Sequence, residues 1–267
     1  MLKKYAISLL FCCLFLGGLE ELYAQSTLNP DSVIYRKSWN AGMRLRSNGF
    51  GFGAEFTRSQ RFKKSLLFQV QFSYFVDPKQ TRQQSPYGSG GIFGDGYKPY
   101  IFGKRNSLFT LYGGVGQKFL LAEKGKRHGV QIFFKYAAGF SLAILKPYYL
   151  KVVDTTSIQN NTFSQTVDIG YVEGGNNELF LGNSRYGNII VGASGFRKGW
   201  KLSALPGLHT EIGMEFDFGK NDQIIKALEI GVAADFYYKK VPVMIQDNTF
   251  LYPSVYVGFM LGQRKER

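Results

Sequence analysis

The chain has 267 residues, a formal net charge of +14 and 45% hydrophobic residues, and it contains 24 Phe, 17 Tyr and 32 Gly. So many aromatic residues can bury ample surface, which excludes an intrinsically disordered chain. Coiled coils are rich in Ala, Glu and Leu rather than in Phe, Tyr and Gly, so that class is excluded as well. The length alone permits one large domain or two small ones.

The beginning of the chain has the pattern of a secretory signal peptide. Lys3 and Lys4 precede an apolar run at 7–16, and Leu-Tyr-Ala at 22–24 ends on a small residue. A basic start, a short apolar run and a small residue at the cleavage point define such a peptide. We therefore expect the signal peptide to cover residues 1–24.

Both cysteines of the chain, Cys12 and Cys13, lie within this predicted signal peptide. The expected mature chain, 25–267, therefore has no disulfide, no thiolate metal site and no cysteine nucleophile. We expect the mature chain to form a single domain.

Apolar residues in the expected mature chain recur at every second position. No apolar run there reaches the about 18 residues that a membrane-spanning helix needs. The run at 130–142 alternates instead, because Gln131, Lys135 and Ser141 interrupt it on one face only. Such alternation indicates a β-strand whose two faces meet different surroundings. Eight segments have this pattern: 39–45, 49–57, 66–74, 109–119, 130–142, 208–218, 228–236 and 251–261.

Two classes of β-protein have strands with unlike faces: soluble sandwiches, between a core and water, and membrane barrels, between lipid and a lumen. Most of the eight segments match the about 9–11 residues that a tilted strand needs to cross a bilayer, and they exceed the about five or six residues usual in soluble sheets. Aromatic residues stand near the ends of the apolar faces, and glycines and single charges occupy the opposite faces. The pattern favours an all-β fold, a closed antiparallel transmembrane β-barrel.

The connections between the predicted strands support this fold through their lengths. At one end the connections at 58–64, 122–128 and 219–224 are short, and at the other end those at 76–107 and 146–206 are long. Outer-membrane barrels have short periplasmic turns and long extracellular loops. We therefore expect both ends of the mature chain to lie in the periplasm.

The segment 146–206 leaves the number of strands open. About sixty residues without secondary structure would be unusual in a compact domain. The parts at 163–172 and 188–193 could pair as a further hairpin. We expect eight strands, with ten as the alternative.

Short motifs rich in glycine and aromatic residues run through the chain. They are Tyr-Ala-Gln at 23–25, Gly-Phe-Gly-Phe-Gly at 49–53, Pro-Gly-Leu at 206–208, Glu-Phe-Asp-Phe-Gly at 215–219, Lys-Ala-Leu-Glu-Ile-Gly at 226–231, Lys-Lys-Val-Pro-Val-Met at 239–244 and Tyr-Val-Gly-Phe at 256–259. Together they resemble a family of small outer-membrane β-barrel proteins of the Bacteroidota type. The resemblance covers nearly the whole mature chain and implies a barrel in the outer membrane. It implies no catalytic motif. Members of such families include accessory subunits of secretion and envelope-assembly machines.

Ten charged residues fall on the strand faces opposite to the apolar ones. The interior of an eight-stranded barrel is only wide enough for side chains, and an isolated ion buried there would cost several kcal/mol. We therefore predict that these charges pair as a structural ion network that makes the barrel non-conducting, with a narrow or gated pore as the alternative. The predicted lumen network comprises Arg44, Arg46, Glu55, Lys118, Lys135, Glu211, Glu215, Asp217, Glu229 and Asp235.

Five of these residues are acidic and lie on two adjacent predicted strands: Glu211, Glu215, Asp217, Glu229 and Asp235. A set of carboxylates of this kind could hold a metal ion. Neighbouring lysines and arginines are the simpler partners, so we expect no metal and no other cofactor.

His209 is the residue that best suits a catalytic alternative, an outer-membrane enzyme that modifies lipid acyl chains. Such an enzyme needs a base and an activated hydroxyl or water. Glu211 lies two residues after His209 on the same face, and Ser203 and Thr210 are close in sequence. The other histidine, His128, falls in a predicted periplasmic turn. A histidine paired with a carboxylate is more often structural, so we expect no enzyme.

Basic residues collect at the predicted periplasmic end. A positive rim would attract anionic phospholipid headgroups, acidic stretches of a partner protein or cell-wall carboxylates. Nucleic acid is not expected in that compartment. The predicted basic rim comprises Arg58, Arg61, Lys63, Lys64, Lys124, Lys126 and Arg127.

These expectations combine into one functional hypothesis. A closed barrel without a catalytic cluster has only its two rims and its lipid face to act with. We expect a non-enzymatic accessory or scaffold subunit in the outer membrane of a Gram-negative bacterium. Its partners, besides outer-membrane lipids, are envelope proteins bound through the loops 76–107 and 146–206 or through the basic rim.

Overall fold

The computed structural model describes residues 37–61, 63–84, 98–124, 129–153, 166–175, 177–178, 180–181, 190–195, 201–219 and 223–265. They all belong to the second of the two units into which the chain divides, Tyr35–Arg267. The predicted signal peptide, 1–24, lies outside the described residues. In the described part of the chain, no helix is long and apolar enough to cross a membrane.

The alternating segments form strands, as their period of two requires. In chain order the strands are β1 (Lys37–Arg46), β2 (Gly49–Arg61), β3 (Lys64–Phe75), β4 (Arg82–Gln83), β5 (Tyr100–Ile101), β6 (Asn106–Ala122), β7 (Gln131–Pro147), β8 (Tyr149–Val153), β9 (Thr166–Gly170), β10 (Ile190–Ala193), β11 (Ser203–Asp217), β12 (Ile224–Tyr237) and β13 (Leu251–Lys265). Eight of them form a closed antiparallel barrel in the order β1-β13-β12-β11-β7-β6-β3-β2. The prediction of a closed, eight-stranded, all-β barrel is confirmed.

The barrel closes where the first strand pairs with the last. Lys37 lies opposite Lys265 and Arg46 lies opposite Tyr256, so the ladder between β1 and β13 runs over the whole length of β1. Closure leaves the wall without a free edge, and all strand backbones can be satisfied by their neighbours. We call the end that carries Lys37 and Lys265 the short-turn end, and the opposite end the long-loop end.

The segment 146–206 contains strands that stay outside the wall. Strands β8, β9 and β10 form a separate sheet in the order β10-β8-β9. The alternative of ten barrel strands is therefore wrong, although 163–172 and 188–193 do contain β9 and β10. The physical reason is that this sheet has its own apolar core, formed by Tyr100, Leu150, Val152, Phe180 and Ile190.

The outer wall is apolar, whereas the inside carries the polar residues. On β13, Leu251, Val255, Val257, Phe259 and Leu261 are all between 43% and 55% exposed. Eleven tilted residues at about 3.3 Å each give an apolar band roughly 25 Å tall, which is the height of the lipid-facing band of outer-membrane barrels. An exposed apolar surface this extensive requires a covering of lipid. The wall is therefore that of a transmembrane barrel.

The lipid-facing wall gives a first testable prediction. Val257 lies near the middle of the band, so Val257→Arg would place a charge in hydrocarbon and should lower the free energy of unfolding by about 2–4 kcal/mol. Gln263→Arg, on the same face of β13 but beyond the band, should cost about 0–1 kcal/mol. Urea unfolding of the barrel in lipid vesicles measures both values. Equal losses for the two variants would contradict a lipid-facing wall.

Candidate functional site

The bore is the candidate site, and Arg44 lies at its centre. Its guanidinium donates hydrogen bonds to three carboxylates: Glu55 at 2.6 Å, Glu211 at 3.2 Å and Glu229 at 2.9 Å. Arg44 is 1% exposed, so these ion pairs are shielded from solvent. Buried charge-assisted hydrogen bonds of this length are strong, and one side chain thereby connects strands β1, β2, β11 and β12.

Glycines on the neighbouring strands make room for this arginine. Gly258 of β13 and Gly51 of β2 lie directly opposite Arg44. A Cβ atom on Gly258 would lie only 2.9 Å from Arg44 Cγ and 3.3 Å from Glu229 Oε2. The guanidinium also lies over the ring of Tyr256, 5.2 Å from its centroid. The glycine-rich lumen face predicted from sequence is thus the space that the largest buried cation occupies.

Two lysines complete the network towards the short-turn end. Lys135 donates to Glu55 and to Glu229, at 2.6 Å each. Lys118 donates to both oxygens of Glu215 at 2.6 Å. Lys135 thus lies between two buried carboxylates and Lys118 binds one, and each ammonium charge replaces the solvation that its carboxylates lose.

Three of these carboxylates could also hold a metal ion. Oxygens of Glu55, Glu215 and Glu229 lie within 4.8 Å of one another. The ammonium group of Lys135, however, lies between Glu55 and Glu229, and that of Lys118 contacts Glu215. In this arrangement the lysines supply the positive charge that a divalent cation would bring.

His209 lies in the half of the bore nearer the long-loop end and is 1% exposed. Its Nδ1 is 2.6 Å from an oxygen of Asp235, and its Nε2 is 3.5 Å from Glu211. Its ring lies against Tyr112, with the centroids 4.1 Å apart. Thr210, the nearest hydroxyl in sequence, is on the outer face of the wall, as alternation requires. His209 is enclosed between carboxylates and does not reach the lipid.

The remaining predicted lumen residues pair towards the two ends. Arg46 Nη1 donates to Asp235 at 3.2 Å. Asp217 forms an ion pair with Arg264 and accepts the backbone N–H of Gly219 at 2.9 Å. The structure thus brings all ten predicted residues into the bore. Arg264, which sequence analysis did not place among them, joins them there.

Two glutamines of the network were missed by sequence analysis. Gln69 donates to Glu211 at 2.9 Å and to Glu55 at 3.2 Å. Gln71 donates to Glu211 at 2.9 Å and accepts from Arg46 at 3.0 Å. Both residues alternate with apolar residues on the third predicted strand, so the alternation itself carried the signal.

The long-loop end of the bore is closed by an apolar layer. The connection 238–250 crosses the mouth, and its Val241 and Val243 are 0% and 1% exposed. The backbone N–H groups of Arg105 and Asn106 donate to the Val243 carbonyl oxygen, at 2.9 and 3.1 Å. The layer comprises Phe75, Leu108, Ala143, Leu145, Tyr237, Val241, Val243 and Tyr252. Ions therefore meet an apolar seal above the ion network.

Lys104 is a buried cation in the connection between β5 and β6, outside the membrane-spanning strands. Its Nζ donates to Gln80 Oε1 at 3.1 Å and to Tyr74 Oη at 3.3 Å. Burial, together with the nearby charge of Arg82, lowers the pKa of Lys104 to about 8. No carboxylate among the described residues forms an ion pair with it, so its charge is held by neutral groups.

The predicted basic rim lies at the short-turn end. Arg58, Arg61 and Lys63 are exposed and Lys64 is half-buried. Lys124 Nζ donates to the Gly219 carbonyl oxygen. The other two predicted rim residues, Lys126 and Arg127, lie outside the described residues, as does His128.

Removal of the central cation should weaken the barrel strongly. Arg44→Met leaves three buried carboxylates with one partner fewer, and loss of one member of a buried ion pair costs about 3–5 kcal/mol. Lys239→Met, which removes the same charge at an exposed position, should change the free energy of unfolding by less than about 0.5 kcal/mol. Urea unfolding in vesicles compares the two. A stability of Arg44→Met close to that of Lys239→Met would show that the network contributes little.

The lowered pKa of Lys104 predicts that the folding stability of the barrel depends on pH. The unfolded chain holds its lysine proton up to about pH 10.5, whereas the folded chain releases it near pH 8. Folding stability should therefore rise between these values. Lys104→Met should remove this rise, and Lys98→Met, an exposed control, should keep it. Thermal unfolding across this pH range measures the effect, and parallel profiles for Lys104→Met and the wild type would refute it.

No family model matches the chain, and no curated protein matches it. Among solved structures, it is similar to Ail, the attachment invasion locus protein of Yersinia pestis, with a TM-score of 0.37, 9% identity and coverage of 87% of this chain and 100% of that chain. It is also similar to the N-terminal β-barrel domain of Pseudomonas aeruginosa OprF, with a TM-score of 0.35, 6% identity and coverage of 86% of this chain and 98% of that chain. A third similar structure is Neisserial surface protein A, with a TM-score of 0.32, 10% identity and coverage of 87% of this chain and 96% of that chain. At these identities the likenesses say nothing about what the chain binds.

Proposed function

We propose that this chain is a non-enzymatic barrel of the outer membrane of a Gram-negative bacterium and serves as an accessory or scaffold subunit of an envelope assembly. The observation that carries the proposal is the filled bore. Buried ion pairs occupy its centre, and the apolar layer around Val241 and Val243 closes its long-loop end. A barrel filled in this way acts through its surfaces.

The location is supported by the wall. A closed antiparallel barrel with an apolar band roughly 25 Å tall is the form in which β-sheets cross a membrane, and single-chain bacterial barrels of this kind belong to the outer membrane. The sequence motifs that resemble the Bacteroidota-type barrel family support the same location. In this orientation the short-turn end faces the periplasm and the long-loop end faces outward.

The docking role is supported by structure at the long-loop end. The sheet of β8, β9 and β10 has its own core, so the described parts of 146–206 contribute a shaped surface. Val167 on β9 and Val172 after it are 46% and 61% exposed. Exposed apolar side chains on an ordered sheet beyond the membrane band are suited to protein contact.

The two alternative functions meet physical obstacles in the bore. A pore needs a continuous polar path, whereas Arg44 and Lys135 are held by carboxylates at 2.6–3.2 Å and the apolar layer lies above them. A lipid-modifying enzyme needs its base at the lipid, whereas His209 is enclosed between Asp235 and Glu211.

Photo-crosslinking in intact cells tests the scaffold role. A photoreactive residue at Val172, in the proposed docking surface, should crosslink to one envelope protein that also co-purifies with the barrel in a fixed ratio. The same residue at Val257, in the lipid-facing band, is the matched control and should give no such adduct. A barrel that purifies alone, with no adduct from Val172, would count against the proposal.

Single-channel recording tests the closed bore independently. The purified barrel in a planar bilayer should give no sustained conductance steps, because the buried ion pairs leave no hydrated path. A wide porin in the same bilayer is the positive control. Steady openings in the nanosiemens range would favour the pore instead.

A further inference from the structure

Three cations form a row on the lipid-facing side of the short-turn end. Lys37 lies directly opposite Lys265 on β13 and directly opposite Arg58 on β2. Side chains directly opposite one another in an antiparallel pair have their Cβ atoms about 5 Å apart. All three residues alternate in step with the outward apolar residues of their strands, and all three are exposed. We call Lys265, Lys37 and Arg58 the cation row.

The cation row is not neutralised within the described part of the chain. Like charges directly opposite one another destabilise a β-ladder. No carboxylate among the described residues forms an ion pair with Lys37, Arg58 or Lys265, and the nearby Asp217 is bound to Arg264 inside the bore. An external anion would therefore relieve a repulsion that the fold itself leaves in place.

The residues next to the row place it at the level of lipid headgroups. Trp39 and Phe56 lie opposite one another, each two residues closer to the membrane centre than Lys37 and Arg58. They are 46% and 44% exposed. Tryptophan is enriched where headgroups meet acyl chains. The row thus lies just beyond the apolar band, with a continuous aromatic surface beside it.

On the strands that the structure describes, the outward cations of this end lie on one side of the barrel. On the described strands, the outward-facing cations at this end belong to the adjacent strands β3, β2, β1, β13 and β12. They are Lys37, Arg58, Arg61, Lys64, Lys226 and Lys265. On β6, β7 and β11 the corresponding outward residues are Phe119, Leu121, Ile132, Phe134 and Phe216. A general interfacial girdle would surround the barrel, whereas this group is a local feature.

We propose that the cation row binds the phosphate of an anionic phospholipid in the periplasmic leaflet. The Arg58 guanidinium can hold two phosphate oxygens in its fork, and Lys37, the next residue of the row, is flanked by Arg58 and Lys265 and can add its ammonium group. The acyl chains then run along Trp39 and Phe56. The proposal rests on the membrane location proposed above and does not depend on the scaffold role.

A lipid fits this surface better than an acidic peptide does. The row points sideways from the wall and adjoins the apolar band, so only a ligand with both a phosphate and acyl chains meets both surfaces. A soluble acidic peptide needs no apolar contact, so Lys63, the exposed cation in the turn after β2, would serve it equally well.

Thermal unfolding with defined lipids tests the proposal. The full-length mature barrel in non-ionic detergent should be stabilised by added phosphatidylglycerol and much less by phosphatidylcholine. Lys37→Gln should lower the affinity for phosphatidylglycerol about fivefold, and the triple variant K37Q/R58Q/K265Q about a hundredfold. In detergent without lipid, Lys37→Gln should raise the unfolding temperature, because it relieves the like-charge repulsion. If Lys37 were merely structural, Lys37→Gln would lower both the affinity for phosphatidylglycerol and the unfolding temperature without lipid.

A charge-matched control and two competitors complete the test. The variant K98Q/K239Q/K240Q removes three charges at the long-loop end and should keep the response to phosphatidylglycerol. Equal stabilisation by phosphatidylcholine, or by inorganic phosphate alone, would overturn a lipid site. Stronger protection by an acidic peptide than by phosphatidylglycerol would assign the row to a protein partner instead. Native mass spectrometry of the wild-type barrel, which should retain one phosphatidylglycerol, gives a readout that needs no variant to fold.

Discussion

A narrow bore can carry charges only when each charge meets its opposite, and this constraint shapes the whole barrel. The interior of eight strands has no room for water to solvate an ion, so an unpaired charge would cost several kcal/mol. Arg44 meets the constraint by binding carboxylates from three other strands. Its size in turn requires Gly258 opposite, where a side chain would collide with it. The lumen face therefore needs both residue types: the charges pair with one another, and the glycines leave the space that their long side chains occupy.

The sequence was sufficient to predict which side of each strand faces the bore. Alternation assigns a face to every residue as soon as one face is known to be apolar, so the barrel class and the apolar wall follow from local pattern, whereas the strand number stayed open between eight and ten. The position of Arg264 shows where that reasoning stopped. It alternates onto the inner face of β13 and pairs with Asp217, but it lies beyond 251–261, the segment in which alternation predicts the last strand.

The pairing within the bore could not be predicted, because alternation fixes the face of a residue but not its height. Which residues meet depends on the tilt and stagger of strands that are far apart in sequence. Arg44 and Glu229 are 185 residues apart, and no local signal relates them. The sheet of β8, β9 and β10 was anticipated only in part, as a possible hairpin at 163–172 and 188–193, for a similar reason. Its strands are only four or five residues long, and its apolar core forms between segments that are separated in the chain.

The outward cations of the described strands lie on one group of adjacent strands, and this distribution bears on how the wall could meet a partner in the proposed assembly. The strands β12, β13, β1, β2 and β3 carry the outward cations, and burial of such groups against a protein surface without counter-charges would cost several kcal/mol. The strands β6, β7 and β11 present Phe119, Phe134 and Phe216 at the same level and carry no such cost. If a partner of the proposed assembly also touches the wall, this second side would bind it at the lower cost. The first side would then stay in lipid, where anionic headgroups can neutralise its cations.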